Sequence, residues 1–179
     1  MILKINRLNC LNMAKSTTKV RAPSEDNTPP DRTDRAILRA LQRDASISNV
    51  ALAAKVALSP AACLRRVERL KARGLIRGIV ALLEPKALDC GTLVVIGVVL
   101  DRSTPDSFAA FERAVQKLGA CMECHVVTGE FDYFMMVRTR DNDSYNRLHA
   151  EHLLYLPGVR QIRTFMVLKQ VLSSTQLPI

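Results

Sequence analysis

With 179 residues, the chain is long enough for one or two domains, each with a core of its own. Apolar residues make up 48% of it, yet no unbroken apolar run approaches the roughly 18–20 residues of a membrane-spanning helix, which argues against a helical membrane protein. A formal charge of +9 points to an anionic partner.

The first thirty residues contain Lys4 and Arg7, but Asn6, Asn9 and Asn12 interrupt their apolar positions. No continuous hydrophobic region of a secretory signal results, and a cytoplasmic chain is expected. The stretch KSTTKVRAPSEDNTPP is polar, proline-containing and without periodicity, so residues 1–30 are expected to form a disordered basic arm, with Met13 an alternative start.

From Asp34 onward Ile37, Leu38 and Leu41 mark the apolar stripe of a first helix, with Asp31 or Thr33 as its cap. Val50 to Val56 makes about two further helical turns, and Ala57-Leu58-Ser59 is a break. Ser59 suits an N-cap and Pro60 the first helical position, where a missing N–H costs nothing. Leu64, Val67 and Leu70 form the stripe of this helix, Arg65, Arg66, Arg69 and Lys71 lie around the rest of it, and Gly74 ends it. A short helix, a tight turn and a basic second helix is the helix-turn-helix pattern. Ile76 to Leu83 is β-prone and suits the wing of a winged helix, where Arg77 would reach backbone phosphate or simply face solvent.

Charge is segregated in the same way. Residues 31–84 hold eleven Lys/Arg against five Asp/Glu, and residues 1–30 hold five against two. Residues 85–179 hold ten of each, so the whole positive excess belongs to the arm and the three-helix segment. That is the electrostatic footprint of phosphate binding, which releases condensed counterions.

Glu84 to Thr92, marked by Pro85 and Gly91, reads as a linker. Beyond it, Leu93 to Leu100 is a β-branched apolar run, a strand covered on both faces or at an interface. Thr104-Pro105 opens a helix with Phe108, Phe111, Val115 and Leu118 on one face, closed by Gly119. Met122 to Thr128 and Tyr133 to Thr139 are strands around a turn at Gly129 to Asp132, where glycine supplies a positive φ. Asp143 is the expected cap of a helix running to about Tyr155, with Tyr145, Leu148, His152 and Tyr155 on one side, and Val159 to Leu172 the final strand. The order βαββαβ is that of the ferredoxin-like split unit. The fold class is therefore α+β, a winged helix-turn-helix domain followed by a ferredoxin-like antiparallel-sheet domain. Its expected divisions are an arm at 1–30, a DNA-binding domain at 31–84, a linker at 85–92 and a second domain at 93–179.

Cys121-Met122-Glu123-Cys124-His125 matches the attachment signature of c-type haem. It lies at the start of a predicted strand with alternating side chains, suiting neither haem nor a thioredoxin-like turn, and a fourth ligand for zinc is not evident. All five cysteines are expected as free thiols and no cofactor is expected. No phosphate-cradling, nucleophile-elbow or metalloprotease motif occurs, and His149 and His152, at i and i+3, read as helix-packing residues.

The stretch ISNVALAAKVALSPAACLRRVERLKARGLIRG resembles the DNA-binding motif of the leucine-responsive regulatory protein (Lrp/AsnC) family of transcription regulators. Asp31 to Leu38 matches the family's opening helix, Ala81 to Pro85 its linker, Glu123 to Tyr133 its effector-domain centre and Leu156 to Val159 its last turn. The resemblance implies a regulator without enzymatic activity, associated with the nucleoid, that inserts the Ser59–Arg73 helix into the major groove of double-stranded DNA. Ser59, Ala61 and Ala62 would then approach base edges, Arg65, Arg66 and Arg69 would bind phosphates or bases, and Ser48, Asn49 and Arg77 would complete the surface. Ala61-Ala62 departs from the more polar residues common in relatives, and alanine methyls read little beyond thymine methyls. An amino-acid effector is implied at Val127, Thr128, Gly129, Asp132 and Tyr133, with backbone near Gly129 and the Asp132 carboxylate receiving its charged ends. Homodimers, assembled into an octamer, are implied as well. The alternatives are an effector-independent nucleoid-type protein and an amino-acid-binding regulatory subunit of an enzyme.

Overall fold

The computed structural model describes residues 28–179 apart from Ser103. The arm expected over residues 1–30 thus lies almost wholly outside the described residues. The chain divides into two compact units.

The helix-turn-helix unit holds α1 (Arg32–Arg43), α2 (Asn49–Lys55) and α3 (Pro60–Ala72). Asp31 caps α1 by accepting the Asp34 N–H at 2.7 Å. Ile37, Leu38, Leu52, Ala53, Cys63 and Leu70 form the core, with Leu41, Val56, Leu58 and Val67 packed against it. The expected stripe of α3 is corrected at one position. Leu64 is 50% exposed and Cys63 is fully buried in its place, because residues 63, 67 and 70 share a face at i, i+4 and i+7. Residues 77–84 form no strand within the chain, so the expected wing has no partner strand here. Residues 172–179 also belong to this unit. The Gln42 side-chain amide grips Leu177 there, accepting its N–H at 2.6 Å and donating to its carbonyl at 3.3 Å.

The second unit holds β1 (Thr92–Leu100), α4 (Pro105–Val115), β2 (Cys121–Val126), β3 (Tyr133–Thr139), α5 (Asn142–Glu151) and β4 (Val159–Met166), after a 3-10 turn at Pro85–Leu88. Its sheet runs β2-β3-β1-β4 with antiparallel neighbours, the order of a split βαββαβ unit. Val94, Ile96, Val98 and Leu100 of the central β1 meet Phe111, Val115, Tyr145 and Leu148 of the helices in one core. Asp141, not Asp143, caps α5, accepting the Ser144 N–H at 2.8 Å. That helix ends at Glu151, and a 3-10 turn, Leu153–Tyr155, follows. Leu153 and Leu156 then fill the core while Tyr155 faces solvent. β4 stops at Met166, short of the expected Leu172, where its pairing with β1 runs out.

Candidate nucleic-acid interface and effector turn

The break before α3 is held by backbone geometry and one amide. Ala57 adopts a φ of +53°, the left-handed conformation that usually selects glycine. The Ser59 hydroxyl accepts the Ala62 N–H at 3.3 Å and the Ser48 hydroxyl accepts the Ala51 N–H at 3.2 Å. The Asn49 side chain donates to the Pro60 carbonyl at 2.8 Å. Three residues expected at DNA, Ser48, Asn49 and Ser59, therefore cap and lock the helices, while Ser59 also remains exposed at the head of α3.

Ala61, Leu64, Arg65 and Glu68 form the solvent-facing stripe of α3, and Ala62 is half-buried beside it. Arg66 and Arg69 stand differently. Arg66 Nη1 donates to Asp31 Oδ2 at 2.6 Å and to Asp34 Oδ1 at 2.7 Å. Arg69 Nη2 donates to the two oxygens of Asp34 at 3.2 and 3.0 Å. Asp34 itself is only 2% exposed, so two guanidiniums compensate a carboxylate removed from water. Its own backbone N–H on Asp31, followed by Arg66, holds the Asp31 carboxyl below its ordinary range, and Asp31 and Asp34 raise Arg66 in turn. Lys71 pairs with Glu68 at 2.9 Å. Arg65 is the one cation within α3 with no carboxylate partner among the described residues. Arg77 is exposed in the segment after α3.

The buried Asp34 ion pairs were not expected from the sequence, and a signal for them exists there. Asp34 stands at i before Ile37, Leu38 and Leu41 at i+3, i+4 and i+7, an acid inside an apolar stripe. Such an acid is buried and must find a cation.

The expected effector residues gather at the β2–β3 turn, with one exception. Val127 donates its N–H to the Asp132 carbonyl at 3.0 Å, Thr128 and Gly129 are exposed, and Gly129 has a φ of +117° that only glycine adopts readily. Asp132 is braced: its N–H donates to the Val98 carbonyl at 2.9 Å and its Oδ2 accepts the Leu100 N–H at 2.7 Å. Oδ1 accepts no bond among the described residues. Tyr133 is the exception. Its ring is buried against Phe108 and Phe111, and its hydroxyl donates to Glu112 Oε1 at 2.9 Å. Strand alternation turns it away from the turn, and burial together with Glu112 pushes its phenol upward.

The Cys121 and Cys124 side chains share a face, contrary to the alternation expected. A bulge at Met122 shifts the register between Cys121 and Glu123, and both thiols pack against the core. Burial, then the neighbouring Cys121 and Glu112, pushes the Cys124 thiol up to about 12. His125 faces outward, bonded to Glu123 at 2.9 Å.

A capped helix-turn-helix unit joined to a split βαββαβ unit defines a two-domain, ligand-binding DNA regulator. Residues 93–177 match the model of the Lrp/AsnC ligand binding domain and residues 30–77 that of a winged helix-turn-helix DNA-binding domain. The leucine-responsive regulatory proteins of Salmonella typhimurium and Escherichia coli are each 48% identical over 83% of this chain and 91% of their own. A transcriptional regulator from Neisseria meningitidis, solved as a complex with L-methionine, is 34% identical, with a TM-score of 0.79 over 83% of this chain and 96% of that one. An AsnC-family transcriptional regulator from Agrobacterium tumefaciens gives a TM-score of 0.79 at 28% identity, over 83% and 96%. The chain belongs to the Lrp/AsnC family of transcription regulators. It is a DNA-binding regulator with a domain for a small-molecule ligand, and no helix among its described residues is long and apolar enough to cross a membrane.

Proposed function

We propose that the chain reads duplex DNA through the exposed stripe of α3 and that an amino acid bound at the β2–β3 turn modulates this. The observation that carries the reading is the placement of Ala61, Leu64 and Arg65 toward solvent on a helix whose opposite face is fixed by Cys63, Val67 and Leu70. A major groove admits such a helix. Arg65 supplies a phosphate or guanine contact, Ala61, Ala62 and Leu64 supply apolar contact with thymine methyls, and Ser59 and Arg77 lie at its flanks. At the turn, the Thr128 and Gly129 backbone and the remaining Asp132 oxygen offer donors and an acceptor for the two charges of an amino acid. The L-methionine bound by the Neisseria relative supports this ligand class.

Homo-oligomerisation belongs to the same reading. Ile79, Val80, Leu82 and Leu83 are exposed in succession on a segment whose backbone is unpaired, a surface suited to the same segment of a second copy. Dimers present two helices to two half-sites one turn apart, and further assembly toward an octamer follows the family pattern. The site of action is cytoplasmic, nucleoid-bound DNA, and the domain division follows the linker at 85–92.

Gel shifts against the DNA upstream of the protein's own gene, with salt titrated and each of the twenty amino acids added in turn, test both halves. A specific shift altered by one amino acid is expected. A shift that no amino acid alters favours the effector-independent reading, and no shift at low salt removes the α3 assignment.

A further inference from the structure

We infer that Asp34 is a specificity-determining residue: it withholds Arg69, and with Asp31 also Arg66, from phosphate, so that α3 meets DNA with Arg65 beside Ala61, Leu64 and the Glu68–Lys71 pair. This rests on α3 being the helix that reads DNA. Asp34 and Asp31 bring two carboxylates against two guanidiniums, an assembly of zero net charge at the α1–α3 contact. Arg66 is 29% exposed and bridges both acids through one nitrogen. Arg69 is half exposed but holds both oxygens of Asp34. If both turned to phosphate, the Asp34 carboxyl would be left buried without either of its cations, a costly arrangement. Asp34 therefore acts as a positioning residue. It holds the two guanidiniums on the α1 side of α3 and removes them from the sequence-independent part of binding.

Salt slopes separate this from a merely structural role, because each phosphate neutralised contributes about 0.9 to the slope of log K against log salt. Fluorescence anisotropy would follow the full-length protein on the upstream duplex and on a scrambled duplex of the same length. Arg65→Ala is expected to lower the slope by about 0.9, whereas Arg69→Ala leaves it unchanged. Asp34→Asn releases Arg69, while Arg66 keeps its bond to Asp31 at 2.6 Å, and on the scrambled duplex the slope is expected to steepen by about 0.9, with the preference for the upstream duplex reduced. A lower slope in Arg69→Ala overturns the proposal, and so does a folded Asp34→Asn protein with the parental slope. Should Asp34→Asn fail to fold, as far-ultraviolet circular dichroism would report, Arg69→Ala decides alone. Parental slopes in both Arg65→Ala and Asp34→Asn would instead remove the assignment of α3 to DNA, whereas a lower slope in Arg65→Ala alone preserves it.

Discussion

Single residues in this protein carry conformational and ionic constraints whose size sets what a substitution does. Ala57 holds the left-handed conformation with a Cβ present, a geometry disfavoured by roughly 1–2 kcal/mol for L-residues. Glycine removes that strain and gives back part of it as chain entropy. Ala57→Gly is therefore expected to stabilise the helix-turn-helix unit by about 0.5–1 kcal/mol, read from chemical denaturation. Cys124 works through pH. Its thiol is raised from an ordinary 9.0 to about 12, so the folded state favours the neutral form. The resulting stabilisation is fully present below pH 9.0 and is lost as pH rises through about 12. Thermal melts between those limits should fall with pH, and Cys124→Ala should flatten the decline. At Asp132, one carboxylate oxygen braces the Leu100 N–H, and Oδ1 accepts no bond among the described residues. Asp132→Asn keeps an acceptor for that N–H but loses the charge. The amino-acid response should vanish while DNA affinity and melting stay near parental values, measured by anisotropy with and without the effector found by gel shift. A large loss of stability would show that the charge serves the fold instead.

At the scale of elements, much was legible because apolar spacing and cap chemistry act locally. Ser59-Pro60 opens α3, Thr104 caps α4, and Tyr133–Thr139 is a strand with the bounds its alternation implied. The misses have tertiary causes. Leu64 and Cys63 exchange places because two helical spacings fit the stripe, 63/67/70 and 64/67/70, and the core formed with α1 and α2 takes the first. The bulge at Met122 moves Cys121 onto the face of Cys124, and no residue preference announces it. The winged helix-turn-helix class holds, but residues 77–84 have no partner strand among the described residues, and a pairing that a second copy would supply is not written in one copy's local sequence. The residues of the candidate site were legible, and their ion pairing was not. In sequence the helix carries four equivalent cations, yet two belong to Asp34, one to Glu68, and Arg65 alone has no carboxylate partner among the described residues.

At the scale of the whole molecule, the eleven cations of residues 31–84 are more than the proposed DNA surface presents, since Asp31, Asp34 and Glu68 pair with three of them locally. On the proposed reading, so modest a number of bare cations would make binding depend on apolar complementarity and on two half-sites held together, rather than on raw charge. The chain also returns to its first unit after completing its sheet, and residues 172–179 settle on α1. Gln42 satisfies both the N–H and the carbonyl of Leu177, and Arg39 donates to the Ile179 carbonyl at 3.2 Å. Net contributions of such hydrogen bonds are about 0.5–1.5 kcal/mol each and sit at the low end on an exposed surface, so together they amount to about 1–2 kcal/mol. Replacing Leu177 by proline removes the amide held at 2.6 Å without altering α1. Leu177→Pro should speed amide hydrogen exchange across the carboxyl-terminal half of α1, and leave the exchange of β1 and β3 unchanged. Equal acceleration in both units would mean that the segment supports the entire molecule. No acceleration in either would mean that α1 is stable without it, and that the three bonds follow from its path rather than reinforce the helix.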